Sequence, residues 1–420
     1  MRMAEPASTP PPTLDTIDLY DPQRYVDSSQ HGAWRLLRDQ APMWAQQTPD
    51  GSTFWSVTRY DDVTAVLLDD ENYGSEHGTI LAVTGGDPAG GRTINLMDRP
   101  RHTRVRQPTI PLMSMHAARR HAPRVRDRIR RIVRDRLAGG GVTDWTELTL
   151  ALPMAAAGDI IGIPESAWSD VSRWAMAGVA PDDPAYATGS ASATLHRAHL
   201  ELFTVLNEVI RDRRRRPQDD VVSELLRLDV GGRRLDQQEV LLNCYSFVMG
   251  AVTTTPQVAA HLVLALAERP EAWHTVRARP DLVPRAVEEA LRWASPTNHL
   301  LRRTLAPVRL GEVDLGPGEL VAAWIGAANR DERIFTDPYR FDPARAVNPH
   351  LAFGVGVHRC IGAPPAQSVL RILLEEMIGQ LDGFEVAGPV VHLRSNFING
   401  VTQLPISCRP VPARQAGVLV

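Results

Sequence analysis

The sequence predicts a mainly α chain with small β-sheets, built around one long apolar helix. Three observations predict it: helical periodicity dominates from residue 101 to residue 381, strand-like runs are short and scattered, and no shift of composition marks a linker. Hydrophobic residues fill 43% of the 420 positions and charged residues 23%, a balance that supports a sizeable packed core.

In chain order, residues 1–15 (MRMAEPASTPPPTLD) are Pro-rich and polar and read as a disordered lead, with residues 16–420 as a single domain. The lead lacks the apolar core of a signal peptide, and no run of about 20 apolar residues suggests a membrane span. Residues 22–73 alternate short helical and strand-like pieces, among them the amphipathic HGAWRLLRDQ and the β-like STFWSVTRY. Residues 74–93, with Gly85, Gly86, Gly90 and Gly91, read as a long mobile loop. Helices are expected over 101–137, 148–162, 164–177 and 191–216, then over the long 235–268, and near 281–293 and 363–381. Strands are expected near 303–310 and 391–398, and PDDPAYATGSAS reads as a lid between two helices.

Charge and cysteine usage narrow the function. Net charge is −3 and every cationic side chain is arginine, which argues against a binder of nucleic acid driven by overall basicity. The runs RDRIRRIVRDRL and RDRRRRP lie on helical patterns without aromatic neighbours to stack bases, so they read as solvated helix faces. Cys244, Cys360 and Cys408 are far apart and form no CxxC pair. A disulfide framework and a structural zinc site are both disfavoured, and a reduced, cytoplasmic setting is expected.

The most informative segment is FGVGVHRCIG, residues 353–362. Phe353, Gly356, Cys360 and Gly362 fall at the spacing FxxGxxxCxG, and this loop resembles the heme-binding loop of the cytochrome P-450 family. Glu289-Ala-Leu-Arg292 resembles the family's ExxR motif, and FDPAR supplies Arg345 as its third member. The likeness extends from about Tyr20 to about Pro410. It implies the P-450 fold, with the long helix crossing heme b and Cys360 as the axial thiolate that pushes electron density toward dioxygen. Gly354, Gly356 and Gly362 would let backbone approach the macrocycle closely. Glu289, Arg292 and Arg345 would form a buried structural network behind the loop.

The resemblance also assigns cationic anchors for heme propionates: His102 and Arg106, four apart on one helical face, His358, and one arginine of LLRRTLAPVRL. Distance from PVRL favours Arg302 over Arg303, although a one-residue slip of strand register would exchange them. On the distal side MGAVTT, residues 249–254, resembles the family's (A/G)Gx(D/E)TT. Gly250 would leave room for dioxygen. Thr253 would relay protons, and its hydroxyl can bond the Met249 carbonyl four residues back. Val252 stands where the family has an acid. Water held by the Val252 carbonyl, Thr253 or Gln257 is the expected substitute, and Pro256, lacking an N–H, should loosen the helix there.

The resemblance implies a monooxygenase that inserts one oxygen atom from dioxygen into a medium-sized, mostly apolar small molecule, by hydroxylation or epoxidation in secondary metabolism. Ferredoxin and ferredoxin reductase would supply electrons to a monomer, docking on Arg359 and the basic 101–120 stretch. The missing acid leaves two alternatives open: an atypical oxidation such as coupling or rearrangement, or a heme protein that binds a ligand without oxygenating it. Expected substrate contacts are Ile80, Leu81, Val83, Val179, Phe247, Ala251, His299, Leu300, Asn399 and Val401.

Overall fold

A 32-residue helix, Gln237–Glu268, threads the computed structural model, which describes residues 12–138 and 140–412. Its start is set by a capping box: the Asp236 side chain accepts the Glu239 N–H, and the Glu239 side chain accepts the Asp236 N–H, both at 2.8 Å. From Thr255 to Ala267 every residue is buried. The helix is long and apolar enough to cross a membrane, which the sequence reading did not expect, but 72% of its most apolar stretch is buried in the fold. It serves here as a core helix.

Two apolar clusters share it. Its C-terminal half packs with the helices Met115–Ala138, Val283–Ala294 and Ala363–Gln380. Its N-terminal half packs with Met154–Ile161, Trp168–Val179 and Ala191–Arg215. A five-stranded sheet stands to one side, in the order Met43–Gln47, Thr53–Val57, Leu320–Trp324, His299–Thr304, Tyr73–Gly74. Only the Thr53–Val57 and Leu320–Trp324 pair is parallel. A three-stranded sheet joins Val142–Asp144, Pro405–Pro410 and Leu381–Val386.

Several expected elements differ. The helix expected over 101–137 is two, Arg101–Thr109 and Met115–Ala138, separated by the 3-10 turn Ile110–Met113. Pro111 opens that turn without an N–H, and Ser114 restarts the helix by accepting the Ala117 N–H at 3.2 Å. The helix expected over 148–162 likewise splits into Thr146–Ala151 and Met154–Ile161, with Gly162 ending the second at φ 101°. Helix Pro270–Ala278 and strand Leu320–Trp324 were not anticipated. The 74–93 segment is pinned rather than loose: Leu81 is buried in a core cluster, and the Leu301 N–H donates to the Thr79 carbonyl at 2.8 Å. The expected lid is also tied down, since the buried Asp183 carboxylate accepts the Arg394 N–H at 2.7 Å. Of the expected N-terminal lead, residues 1–11 lie outside the described residues and Leu14–Thr16 form a 3-10 turn.

The first arginine run is largely paired, and in the second Arg213 is. Along Met115–Ala138, Arg126 and Arg130 reach Glu376, Arg128 reaches Asp159 at 2.8 Å and Arg136 reaches Glu147 at 2.6 Å. Arg213 meets Asp220 at 2.5 Å. These arginines hold helices together.

Candidate functional site

The cysteine loop is shaped by two left-handed glycines, Gly354 at φ 63° and Gly356 at φ 72°. A Cβ on Gly356 would also sit 2.7 Å from the Leu67 carbonyl. The turn lets the Cys360 N–H donate to the Phe353 carbonyl at 2.7 Å, and it delivers Cys360 just before the helix Ala363–Gln380. Cys360 is exposed, yet enough protein surrounds it for burial to push its thiol up. Backbone N–H groups of Gly362 and Ala363 and the charges of Arg106 and Arg359 act the other way, favouring thiolate. The Phe353 ring is half-buried against the core, with the Arg359 guanidinium 6.0 Å from it.

Beside the cysteine lies a cluster of basic side chains that Asp98 reaches only by its charge, not by an ion pair. The rings of His102 and His358 are 4.2 Å apart. Neither nitrogen of the buried His102 has a hydrogen-bond partner. Burial lowers His102 to about 4, and burial with the nearby Arg302 charge lowers His358 to about 2, so both are neutral hydrogen-bonding groups at neutral pH. Arg302 is 4% exposed, and burial lowers it only to about 10, so it stays charged. Its one protein hydrogen bond goes to the Leu301 carbonyl. Arg106 donates to the Arg359 carbonyl. Among the described residues neither Arg106 nor Arg302 has a carboxylate within 4.0 Å. Arg303, on the other face of the strand, instead reaches His77 at 2.8 Å and the Gly318 carbonyl.

Behind the loop the charges are matched. Glu289 and Arg292 are fully buried and meet through two 2.8 Å bonds, and Arg345 adds a third at 2.9 Å. Arg292 also donates to the carbonyls of Asn329 and Pro338. The Asn329 side chain accepts the Leu351 N–H at 2.7 Å, which couples this network to the start of the cysteine loop.

On the central helix the Thr253 hydroxyl donates to the Met249 carbonyl at 2.8 Å. Gly250 is exposed in mid-helix, and a Cβ there would meet nothing within 4 Å. The bulk that Met249 brings is offset by Gly178, whose added Cβ would lie 3.3 Å from the Met249 methyl. Val252 is fully buried in the apolar cluster with Ile160, Val248 and Phe247. Gln257 differs from its expected use in holding relay water. Its amide oxygen accepts the Val401 N–H at 2.9 Å and its nitrogen contacts Met176 Sδ at 3.7 Å, so it tethers the helix to neighbouring segments. The helix continues through Pro256.

Four of the expected substrate contacts, Leu81, His299, Asn399 and Val401, belong to the core instead. His299 is fully buried; its Nε2 accepts the Leu81 N–H at 3.1 Å and Nδ1 bonds the Asn396 carbonyl. Asn399 binds the Ala294 carbonyl at 2.5 Å, and Val401 packs in the main cluster. The reason is the two-residue period of strands and tight turns, which turns neighbouring side chains to opposite sides. Leu300 and Arg302 share one face of their strand, and Leu300 lies 4.0 Å from where Gly354 would carry a Cβ. Ile80, Val83, Val179 and Ala251 are half-buried, while Phe247 is 7% exposed within its cluster. A contact that sequence reasoning missed joins Tyr245 of the central helix to His199 at 3.1 Å. The two are 46 positions apart, and no local spacing signals the pair.

The family model described as Cytochrome P450 matches residues 166–387. The chain is 35% identical to Putative cytochrome P450 126 of Mycobacterium tuberculosis, over 94% of this chain and 98% of that protein. The chain belongs to the cytochrome P450 family. This P450 is also 28% identical to Linalool 8-monooxygenase of Pseudomonas putida, over 94% of this chain and 100% of that one. Its fold matches the structure of a Mycobacterium marinum cytochrome P450, CYP268A2, in complex with pseudoionone, at a TM-score of 0.86 and 31% identity, covering 96% and 100% of the two chains. The family's prosthetic group is a heme bound through a cysteine thiolate. The residues fit it: the cysteine is accessible, Arg302 and Arg106 beside it pair with no carboxylate, and a Cβ at Gly250 of the central helix would meet nothing.

Proposed function

We propose that this P450 is a heme b monooxygenase that inserts one oxygen atom into a medium-sized, mostly apolar small molecule in bacterial secondary metabolism. The observation that carries this reading is the cluster of His102, Arg106, Arg302 and His358 beside Cys360, whose two arginines pair with no carboxylate. Two charged guanidiniums and two neutral imidazoles suit a ligand with two carboxylates, such as the heme propionates. Cys360 would hold the heme through its thiolate, a form that the Gly362 and Ala363 N–H groups and the Arg106 charge favour. When bound, the heme would supply dioxygen activation by two electrons and two protons.

The chain's own part is positioning and proton delivery. Thr253 spends its hydroxyl proton on the Met249 carbonyl, which leaves its oxygen free to accept from water entering beside Gly250. No acid is at hand at position 252, so protons are relayed by solvent and Thr253. The apolar setting of Val252 also favours a second reading, an oxidation such as coupling or rearrangement that needs less proton delivery. The relatives named for linalool 8-monooxygenation and for a pseudoionone complex support an apolar substrate with an oxygen function. Ferredoxin and its reductase are the electron donors in this reading, acting in the cytoplasm on a monomer through the arginines around Arg359.

The test is turnover with a reconstituted ferredoxin and reductase against a panel of terpenoid and macrocyclic compounds. Oxygenated product carrying label from dioxygen is expected. Consumption of reductant with a coupled or rearranged product lacking the label favours the second reading. A ferric heme that shifts with ligand and never turns over would overturn both.

A further inference from the structure

The roof of the distal side contains one polar contact among apolar residues. His199, on the helix Ala191–Arg215, and Tyr245, on the central helix, meet at 3.1 Å between Nε2 and the phenol oxygen. Phe203 stacks on the His199 ring and meets the Tyr245 ring edge-on, fixing both orientations. Gly178 opens space beside them, since a Cβ there would lie 3.7 Å from the Tyr245 oxygen and 3.3 Å from the Met249 methyl. Three segments therefore meet at this point, and both polar side chains are only half-buried. Whichever of the two donates in the shared hydrogen bond, the pair retains one further N–H or O–H for a third partner.

Tyr245, Met249 and Thr253 follow one another at intervals of four along one face of the helix. Eight residues of helix rise by about 12 Å. Resting on the monooxygenase reading above, we propose that the Tyr245–His199 pair anchors the substrate, binding a neutral hydroxyl or carbonyl oxygen at the end remote from the carbon oxidised near Thr253. The substrate is then an elongated, mostly apolar molecule with a span of about 12 Å between its oxygen function and its reacting carbon. Neutrality follows from the surroundings. The Asp87 charge reaches both His199 and Tyr245, and the nearest arginine on the roof helix, Arg197, is engaged with Trp174 and Glu201. A carboxylate would be repelled where a carbonyl or alcohol would not.

The experiment is titration of the ferric holoenzyme with dodecan-1-ol, tridecane and sodium dodecanoate, following the spin-state change of the heme spectrum, in wild type, Tyr245→Phe and His199→Gln. The wild type is expected to bind the alcohol most tightly. Tyr245→Phe should weaken the alcohol about 5- to 10-fold and leave tridecane unchanged, and His199→Gln should weaken it less because an amide still bonds. Turnover of the alcohol should concentrate at the end away from its oxygen, and Tyr245→Phe should scatter it along the chain. Equal binding of alcohol and tridecane by wild type, tightest binding of dodecanoate, or no response to Tyr245→Phe overturns the anchor. A variant with an unaltered heme spectrum and melting temperature excludes misfolding. Loss of the heme spectrum from the wild type would instead refute the monooxygenase reading.

Discussion

Two groups of buried charge lie on either side of the cysteine loop and are treated oppositely. Behind the loop, Glu289 is enclosed by Arg292 and Arg345, and every remaining guanidinium nitrogen finds a carbonyl. In front of it, Arg302 and Arg106 are left with backbone carbonyls, and the His102 ring bonds nothing. Burying a charge without a partner is costly. The pairing behind the loop is not complete, since the buried Arg330 bonds only the Trp293 carbonyl, but its one carboxylate is shared by two arginines, whereas Arg302 and Arg106 in front share none. In the proposed reading the first group holds the fold and the second binds the carboxylates of the heme.

The largest expected effect lies behind the loop. Glu289→Gln leaves two buried arginines without an anion and should cost about 3–5 kcal/mol in urea unfolding, or prevent folding outright. A smaller loss would mean that the carbonyls alone satisfy Arg292 and Arg345.

Acid should act through the buried imidazoles. Burial lowers His299 to about 4, against about 6.5 unfolded. Below pH 6.5 the unfolded chain takes up a proton that the folded chain refuses, so stability is fully present above that pH and is lost as pH falls toward 4. The loss is about 3 kcal/mol for this group. The unfolding free energy of His299→Gln should fall less steeply between pH 6.5 and 4, by about one bound proton. An unchanged slope would show that His299 is protonated in the fold.

Val252→Asp probes a site that the family fills with an acid. Here the carboxyl would enter an apolar cluster, so its folded pKa should rise above the unfolded value of about 3.9. Stability should already lie below wild type in strong acid, because a polar group replaces a packed valine, and fall by about a further 2 kcal/mol as pH rises through 4. Coupling of reductant use to product should not improve, and a clear improvement would mean that the new acid reaches the Thr253 side.

Arg302→Leu should give the smallest change in folding and the clearest contrast with Glu289→Gln. The heme-free protein should be as stable as wild type or slightly more so, while heme binding weakens about 10- to 100-fold. Loss of stability comparable to that of Glu289→Gln would erase the distinction between the two groups.

The legible parts of this protein were those written in contiguous residues. Gly354, Gly356 and Cys360 set out a turn whose φ values follow from composition, and the Thr253 to Met249 bond follows from helical spacing. The ends of the central helix were also readable, because Asp236 and Glu239 form a local cap. What escaped needed knowledge of facing. His299 and Leu300 look equally suitable for a pocket until strand pairing turns one of them into the core. Leu320–Trp324 is buried throughout and offers no alternation to detect. Gln257 looked available for water because its partners, Val401 and Met176, are distant in sequence. The basic cluster was named in advance through family likeness, but that its histidines are neutral follows only from their burial.

The central claim is tested most directly by the absorption spectrum of the reduced, carbon-monoxide-bound protein, compared between wild type and Cys360→Ser after growth with a heme precursor. Thiolate ligation predicts the far red-shifted Soret band of this family in wild type and its loss in the variant, while Cys244→Ser and Cys408→Ser retain it. A wild-type band at the position of an imidazole-bound heme, or an identical red-shifted band in Cys360→Ser, would contradict the account.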